Sequence, residues 1–508
     1  MTTELLAPLD LAFWHLESAD HPMHLGALAV FSSAPGSTDA RGVLDLLATR
    51  AAAVPRLRMR VRDVLLPVGG AAWMADKGFD VRRHVRWLPL AEGDFAAAAA
   101  RLAGELMERP LERGIPPWEM YVLTQPGAAG DGPGEAGHPA GGDGPGGAGD
   151  GGRPFAVLVK LHHALADGMR AVSIGAGIFD QIADARAAGV RRVRPVPPRS
   201  WLPGPWQAAG LTRDRLGELG RAVGIGASVV RASRLDPRGT PALTAGSSGT
   251  RRFATALLDL ADVQRIRRAA GGTANDVLLA TVAGALRRWM LERGEPLPLA
   301  PPRALVPVSR RRPGRSPGAA NDFSAYLLGL PVAEAEPGAR LTAVRRGMDR
   351  NKSEGPARGA GAVALLAAQL PPLAHRLGAP LAGGAARILF DILVTSVPLP
   401  RSTLSLGGCP LREVYPMAPL ARGQSLAVAL STYGGRVQVG LVADGKAVPD
   451  LGRLAAAMTD ELAELLRVSR STCEPAAPCE AGETSETQEP GETQEPGETR
   501  EIGQLLPE

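Results

Sequence analysis

Runs of about seven apolar-rich residues, separated by turn formers, recur along the chain and set its expected elements. Trp118-Glu-Met-Tyr-Val-Leu-Thr124 and Phe155-Ala-Val-Leu-Val-Lys-Leu161 read as strands. The second runs into a His-rich turn and then a helical pattern over Met169–Ala185. Further on, Arg252–Leu258 reads as a strand and Leu260–Ala270 as a helix closed by Gly271-Gly272. Thr273 follows as a good N-cap for a helix over Ala274–Glu292, because its hydroxyl can accept from a free amide of the first turn. Strands recur at Ala304–Pro307, Ala325–Val332 and Leu393–Val397. Ser425–Tyr433 and Arg436–Val442, joined by Gly434-Gly435, form a hairpin signal, and a last helix spans about Leu451–Leu466. Strands and helices mixed in two similar halves predict an α/β protein of two layered domains.

Polar and Gly/Pro-rich breaks mark the boundaries. Residues 126–153 hold thirteen Gly and four Pro among Ala, Asp, Glu, His and Arg, a composition that cannot bury apolar area to offset ordering entropy. Lying between two expected strands, this segment is read as a disordered insertion at a hairpin tip. Prolines at 195, 197, 198, 203 and 205 begin a second break, a helical segment covers about 207–234, and a Gly/Ser/Thr-rich stretch covers 239–250. The expected organisation is a first domain over 1–190, a linker over 191–250, a second domain over 251–470 and an acidic disordered tail over 471–508.

Length and composition agree with this plan. The 508 residues exceed one ordinary core, and 45% apolar with 21% charged residues is a globular balance. Three cysteines make no disulfide framework, which suits a reducing, cytoplasmic setting. No signal peptide and no run of eighteen uninterrupted apolar residues is visible, so an ordinary membrane span is not expected. The net charge of +5 conceals a tail of ten Glu and one Arg from Cys473 to Glu508; the rest of the chain carries +14. A basic body can meet anionic lipid or CoA phosphates. Few aromatics and no recognition motif argue against nucleic acid as a partner.

The chemistry concentrates at His162-His163-Ala-Leu-Ala-Asp167-Gly168. Moving an acyl group from a thioester to an alcohol needs a base for the hydroxyl proton, and an imidazole with a pKa of about 6.5 supplies one near neutrality. A histidine at a strand's end is held rigidly and can face a cleft. Asp167 can tie the turn, and Gly168 permits tight backbone before the helix. Two competing readings are core histidines satisfied by hydrogen bonds and a metal pair. Adjacent histidines point to opposite faces of an extended chain, which disfavours the metal, and no cofactor is expected.

With these residues in hand, the sequence resembles the bacterial wax ester synthase/acyl-CoA:diacylglycerol acyltransferase family over nearly the whole chain outside the insertion and tail. The resemblance lies in Pro8-Leu9-Asp10 through Glu17-Ser18 to Pro22-Met23-His24-Leu25-Gly26, in Arg109-Pro110-Leu111 with Pro116-Pro117-Trp118-Glu119, and in Asn275-Asp276. Leu420-Ala-Arg-Gly-Gln424 and the following hairpin add to it. Pro117 stands where the family has Leu, and Ser396-Val397-Pro398-Leu399-Pro400 replaces Asn-Val-Pro-Gly-Pro. The resemblance implies two chloramphenicol-acetyltransferase-like domains with a tunnel between them. It also implies His163 as general base and Asp167 as mainly structural, with support from Asn275 and Glu17; His162 and Gly168 complete the motif as candidate catalytic residues. The alcohol would attack bound acyl-CoA directly, with no acyl-enzyme intermediate.

Trp118, Asp276 and Arg310 are further candidates for substrate binding or support. Trp118 equally suits core packing, Asn275 could serve the helix start, Glu17 could be a surface carboxylate, and Arg310-Arg311-Arg312 could be a solvated loop or a contact for CoA phosphates. The expected activity joins acyl-CoA, as co-substrate, to diacylglycerol or a long-chain alcohol. Such acceptors require a peripheral site on the inner membrane face or a lipid droplet, for which the apolar stretch Gly359–Leu393 is a candidate contact. The alternatives are a condensation-type or polyketide-associated acyltransferase using carrier-bound acyl groups, and a non-catalytic lipid-binding relative.

Overall fold

A computed structural model describes residues 3–34, 37–126, 153–165, 174, 177–181, 242–309, 323–354, 372–378, 389–400 and 402–471. The Gly-rich insertion, most of the expected helix Met169–Ala185, the Pro-rich linker with its helical segment, most of Gly359–Leu393 and the acidic tail lie outside these residues. So do Asp167, Gly168 and Arg310.

Fifteen strands are described: β1 (Glu4–Leu5), β2 (His24–Ser32), β3 (Met59–Asp63), β4 (Ala71–Ala75), β5 (Val85–Pro89), β6 (Trp118–Thr124), β7 (Pro154–His162), β8 (Arg251–Asp259), β9 (Arg303–Ser309), β10 (Phe323–Gly329), β11 (Ile392–Pro398), β12 (Ser405–Leu406), β13 (Cys409–Met417), β14 (Leu426–Tyr433) and β15 (Arg436–Asp444). They form a small sheet in the order β1-β4-β3 and two six-stranded mixed sheets. One runs β12-β13-β2-β7-β6-β5 and the other β10-β9-β11-β14-β15-β8. The helices are α1 (Pro8–Leu16), α2 (Ala40–Ala53), α3 (Phe95–Glu108), α4 (Leu260–Ala270), α5 (Ala274–Glu292), α6 (Pro337–Glu354) and α7 (Leu451–Ser471).

Local chemistry sets the boundaries of α4 and α5 where the sequence predicts them. Asp259 accepts from the amide of Ala261 to start α4, and Gly271, at φ 74°, ends it. Thr273 and Asp276 close a reciprocal capping box on α5. The hairpin turn Gly434-Gly435 has both φ values positive, 57° and 75°, as a two-residue turn with the twist of its strands requires. Several strand ends shift by one or two residues, and two ends differ by more. β10 stops at Gly329, ahead of Pro331, which has no amide to give a neighbour, and α7 continues past Leu466 to Ser471.

The largest difference is topological. Cys409–Met417 belongs to the second half of the sequence yet pairs antiparallel with β2 in the first sheet. The two sheets are therefore not built from consecutive halves of the chain. A shared core binds them: Leu28, Tyr121 and Leu158 of the first sheet pack with Phe253, Ala427 and Val442 of the second, alongside the Ala-rich face of α3. Close approach is achieved through missing side chains. A Cβ on Gly440 of β15 would stand 1.9 Å from the carbonyl oxygen of Pro416 in β13, and one on Gly104 of α3 would lie 3.1 Å from that of Arg251 in β8.

Candidate active site

The two histidines stand where β7 ends. His162 is the last residue of that strand and pairs directly across from His24, the first residue of β2. The His162 amide donates to the carbonyl of Pro117 at 3.0 Å and the His163 amide to that of Met23 at 2.8 Å. Both neighbouring strands thus fix the turn. The two rings then part, as adjacent residues of an extended chain must. His162 is fully buried, whereas His163 is half-buried. Helix α1 meets both with consecutive residues. Phe13 stacks on the His163 ring with centroids 3.8 Å apart, and Trp14 meets the His162 ring edge-on at 5.1 Å.

Behind His162 lies a buried carboxylate. The amide of Ala164 donates to His162 Nδ1 at 3.0 Å, so the proton of the neutral ring sits on Nε2. That nitrogen faces Glu17 Oε1 at 3.4 Å. His24 Nε2 approaches the same oxygen at 3.3 Å and also lies 3.3 Å from the amide of Leu111. The other oxygen of Glu17 accepts from Arg113 Nη2 at 2.9 Å, and the Arg113 guanidinium lies 4.4 Å over the Trp14 ring. Burial works against ionisation of Glu17, yet the His162 and His24 imidazoles outweigh it and hold the carboxyl well below the usual carboxylate range. Burial lowers the pKa of His24 to about 4, so that ring is neutral near neutrality. The result is an anion clasped by two imidazoles and a guanidinium directly behind the turn that presents His163.

Two positions further back on the same face of β7, Lys160 is also fully buried. Its ammonium donates to the carbonyl of Leu106 at 2.8 Å and to that of Arg109, and it lies 3.5 Å from Glu119 Oε2. It thereby satisfies carbonyls at the end of α3. Burial pushes its pKa down.

The second half of the chain holds the Glu17 loop in place. Arg251 Nη2 at the start of β8 donates to the carbonyl of Asp20 at 2.7 Å, and Ser247 Oγ donates to the same oxygen at 3.1 Å. Arg251 is in turn 3.6 Å from Asp444 at the end of β15.

Of the residues singled out from sequence, His162, His163 and Glu17 come together. Trp118 sits in the core: its indole N–H donates to the carbonyl of Leu57 at 2.7 Å, and its ring stacks on His84 with centroids 4.5 Å apart. Asp276 is buried in the capping box, where Oδ2 accepts from both the amide and the hydroxyl of Thr273. Asn275, half-buried, occupies the first turn of α5, but Thr273 rather than Asn275 caps that helix. His24, Arg113, Phe13, Trp14 and Lys160 join His162, His163 and Glu17 in the structure. Of these, His24 has a trace in the Pro22–Gly26 motif and Lys160 as one charge inside an otherwise apolar strand.

Comparison with known proteins bears on the whole of this arrangement. Residues 6–131 and 148–278 match the wax ester synthase/diacylglycerol acyltransferase catalytic domain, and residues 319–466 match the WS/DGAT C-terminal domain. A probable diacylglycerol O-acyltransferase of Mycobacterium tuberculosis is 30% identical over 480 residues, covering 92% of this chain and 96% of that one. A second probable diacylglycerol O-acyltransferase of that organism is 30% identical over 477 residues, covering 91% and 98%. Among solved structures, the wax ester synthase/diacylglycerol acyltransferase of Marinobacter aquaeolei VT8 aligns with a TM-score of 0.63 at 24% identity, covering 92% of this chain and all of that one. The trichothecene 15-O-acetyltransferase of Fusarium sporotrichioides aligns at 0.57 and 12% identity, covering 91% and 94%. The mixed-sheet α/β architecture resembles the chloramphenicol-acetyltransferase-like acyltransferase fold, and the chain belongs to the wax ester synthase/diacylglycerol acyltransferase family.

Proposed function

We propose that the protein moves a fatty acyl group from acyl-CoA to diacylglycerol, forming triacylglycerol, or to a long-chain alcohol, forming a wax ester, with His163 as general base. The observation that carries the role of His163 is its placement: a half-buried imidazole at a strand end, its amide tied to Met23 and its ring stacked on Phe13, next in sequence to the His162 that faces Glu17. A fixed ring keeps its accepting nitrogen aimed at one point, which is what a general base requires.

The alcohol gives its proton to His163 as its oxygen bonds to the thioester carbonyl carbon. The tetrahedral species collapses by breaking the carbon–sulfur bond, and the departing thiolate takes the proton from the imidazolium. Ester and free CoA thiol result, and His163 is again neutral. The Glu17 anion, held against the neighbouring His162, favours the transient positive charge on the imidazolium. Asp167 and Gly168 complete the motif as partners of His163, Asn275 supports the site from the start of α5, and Arg310 is a candidate for the CoA phosphates. The substrates meet in a tunnel between a first domain over residues 1–190, completed by β12 and β13, and a second over 251–470. Among the described residues no helix is long and apolar enough to cross a membrane. The enzyme acts from the cytoplasmic side, at the surface of the membrane or a lipid droplet.

The test is an assay of purified protein with long-chain acyl-CoA and either diacylglycerol or hexadecanol, following thiol release and lipid product. His163→Ala should lower both by about 10²–10⁴-fold. Full activity in that variant would remove His163 from the base role. Absence of ester with either alcohol would remove the lipid acceptors and direct attention to carrier-bound acyl donors.

A further inference from the structure

Single exposed apolar side chains are ordinary on protein surfaces, but a cluster of them is not. Of the eight large apolar side chains most exposed among the described residues, five gather in one place. Leu65, Leu66 and Val68 form the tip of the turn between β3 and β4 and are 93%, 79% and 57% exposed. Leu373 and Leu377, on a short helix over residues 372–378, are 43% and 68% exposed. These two lie one helical turn apart on the same face, whereas His375 between them is buried.

The tip and the helix are in contact. Gly69, at φ 79°, packs so closely that a Cβ there would stand 2.9 Å from the Cα of Leu373. The turn is stiff, because the Val64 amide donates to Gly70 and the Gly70 amide donates to Pro67. Exposed arginines flank the apolar residues, Arg62 at the base of the turn and Arg376 on the helix. One exposed acid, Asp63, adjoins them.

The patch is also wired to the site. The carbonyl of Gly69 accepts from His15 Nε2 at 3.1 Å. His15 directly follows Phe13 and Trp14, the residues that contact His163 and His162.

We propose that the 65–68 tip and the Leu373/Leu377 face together form the surface by which the protein docks on an anionic phospholipid layer, placing the end of α1 where a lipid alcohol would leave that layer. The assignment of this patch rests on the lipid-acceptor reading of the active site. An anionic surface fits better than a second copy of the chain. The protruding apolar residues suit shallow insertion among acyl chains, and arginines at the margin would sit among phosphate headgroups. A shallow insertion of this kind gains from apolar burial and from charge together, so it should weaken as salt rises.

The experiment uses the full chain and phosphatidylglycerol vesicles in a sedimentation assay. Two variants are compared with wild type: Leu65→Ser/Leu66→Ser/Val68→Ser, and Leu373→Ser/Leu377→Ser. Each should weaken vesicle binding by roughly tenfold or more. Each should also leave transfer to a short, water-soluble alcohol within about twofold of wild type, since no acyl-transfer residue is touched. Val68→Trp should tighten binding, because indoles favour the membrane interface. Unchanged binding in both serine variants would overturn the proposal, as would wild type that ignores the vesicles. So would variants that alter only the oligomeric state in gel filtration, because a second copy would then cover the patch. Lost vesicle binding in an enzyme that forms no ester with any alcohol would support the docking surface while refuting the acyl-transfer reading, so the two can fail separately.

Discussion

Each of the two six-stranded sheets sets a pair of buried polar residues opposite one another, with different chemistry. In the first, His24 and His162 face each other across β2 and β7. In the second, Ser431 and Gln438 face each other across β14 and β15. The second pair spends its polar atoms on backbone: Ser431 Oγ donates to the carbonyl of Val414 at 2.7 Å, and Gln438 Nε2 to that of Tyr433 at 3.1 Å. These neutral groups fasten β13 and the hairpin. The first pair shares a buried anion, Glu17, and has a buried ammonium, Lys160, two residues behind it. Ionisable groups are expensive to bury, and their sharing of one anion beside the His163 turn marks where chemistry is placed. The other sheet is a wall and a clamp, holding the Glu17 loop through Arg251 and Ser247.

The comparison can be strained at both sheets. The largest stability effect belongs to the helices packed on the second, where Arg340 Nη2 of α6 meets Glu461 Oε1 of α7 at 2.5 Å. Gly284 leaves the space that Glu461 fills. Arg340→Met should cost about 3–5 kcal/mol in denaturant unfolding, because the carboxylate is left without its partner. Activity per folded molecule should stay unchanged; a selective loss of kcat would show that the helices packed on the second sheet do more than support.

At the first sheet, the same stability should depend on acid. Burial lowers the pKa of His24 from 6.5 to about 4. The unfolded chain therefore takes up a proton that the folded chain refuses. The contribution is fully present above pH 6.5 and is lost as pH falls toward 4, on the order of 3 kcal/mol. Glu17, held low, adds a second loss below its ordinary value of 4.5. Chemical denaturation at stepped pH should show the first decline in wild type and a flattened one in His24→Gln.

Glu17→Gln keeps the shape and removes the charge shared by His162, His24 and Arg113. The rate should fall roughly tenfold to a hundredfold, as for loss of hydrogen bonds to a charged group, with KM little altered. A large rise in KM instead would make Glu17 part of acceptor binding. The smallest effect is expected at Thr273→Ala, about 1 kcal/mol of stability from the lost cap. An accompanying fall in kcat would indicate that the start of α5 positions Asn275.

What the sequence discloses follows the range of the interactions. Elements closed by neighbouring residues are legible: the end of α4 and the start of α5 through Gly271 and Thr273, and the late hairpin through Gly434-Gly435. His162 and His163 are legible because a paired imidazole at a strand end is a local pattern. Glu17 and His24 enter only through the family resemblance, and Arg113 carries no local signal. Their role exists because β2 pairs with β7 and the Arg113 segment folds over Trp14. Trp118 fits two roles in one dimension, and only its bond to Leu57 places it in the core. The strand Cys409–Met417 is legible as neither edge nor core, since its partner lies almost at the other end of the chain.

That strand also governs how the protein can be made. β2 borders β13 through pairs such as Leu28 with Tyr415 and Gly26 with Met417, so the sheet bearing the histidines acquires that neighbour only when residues 409–417 leave the ribosome. Until then β2 exposes a row of unpaired amides and carbonyls, the state in which strands adhere to foreign partners. Closure across so long a separation is slow relative to local folding. Expression as two fragments cut near residue 250 should leave the first one sticky, and adding the second in trans should restore the missing border before it restores turnover.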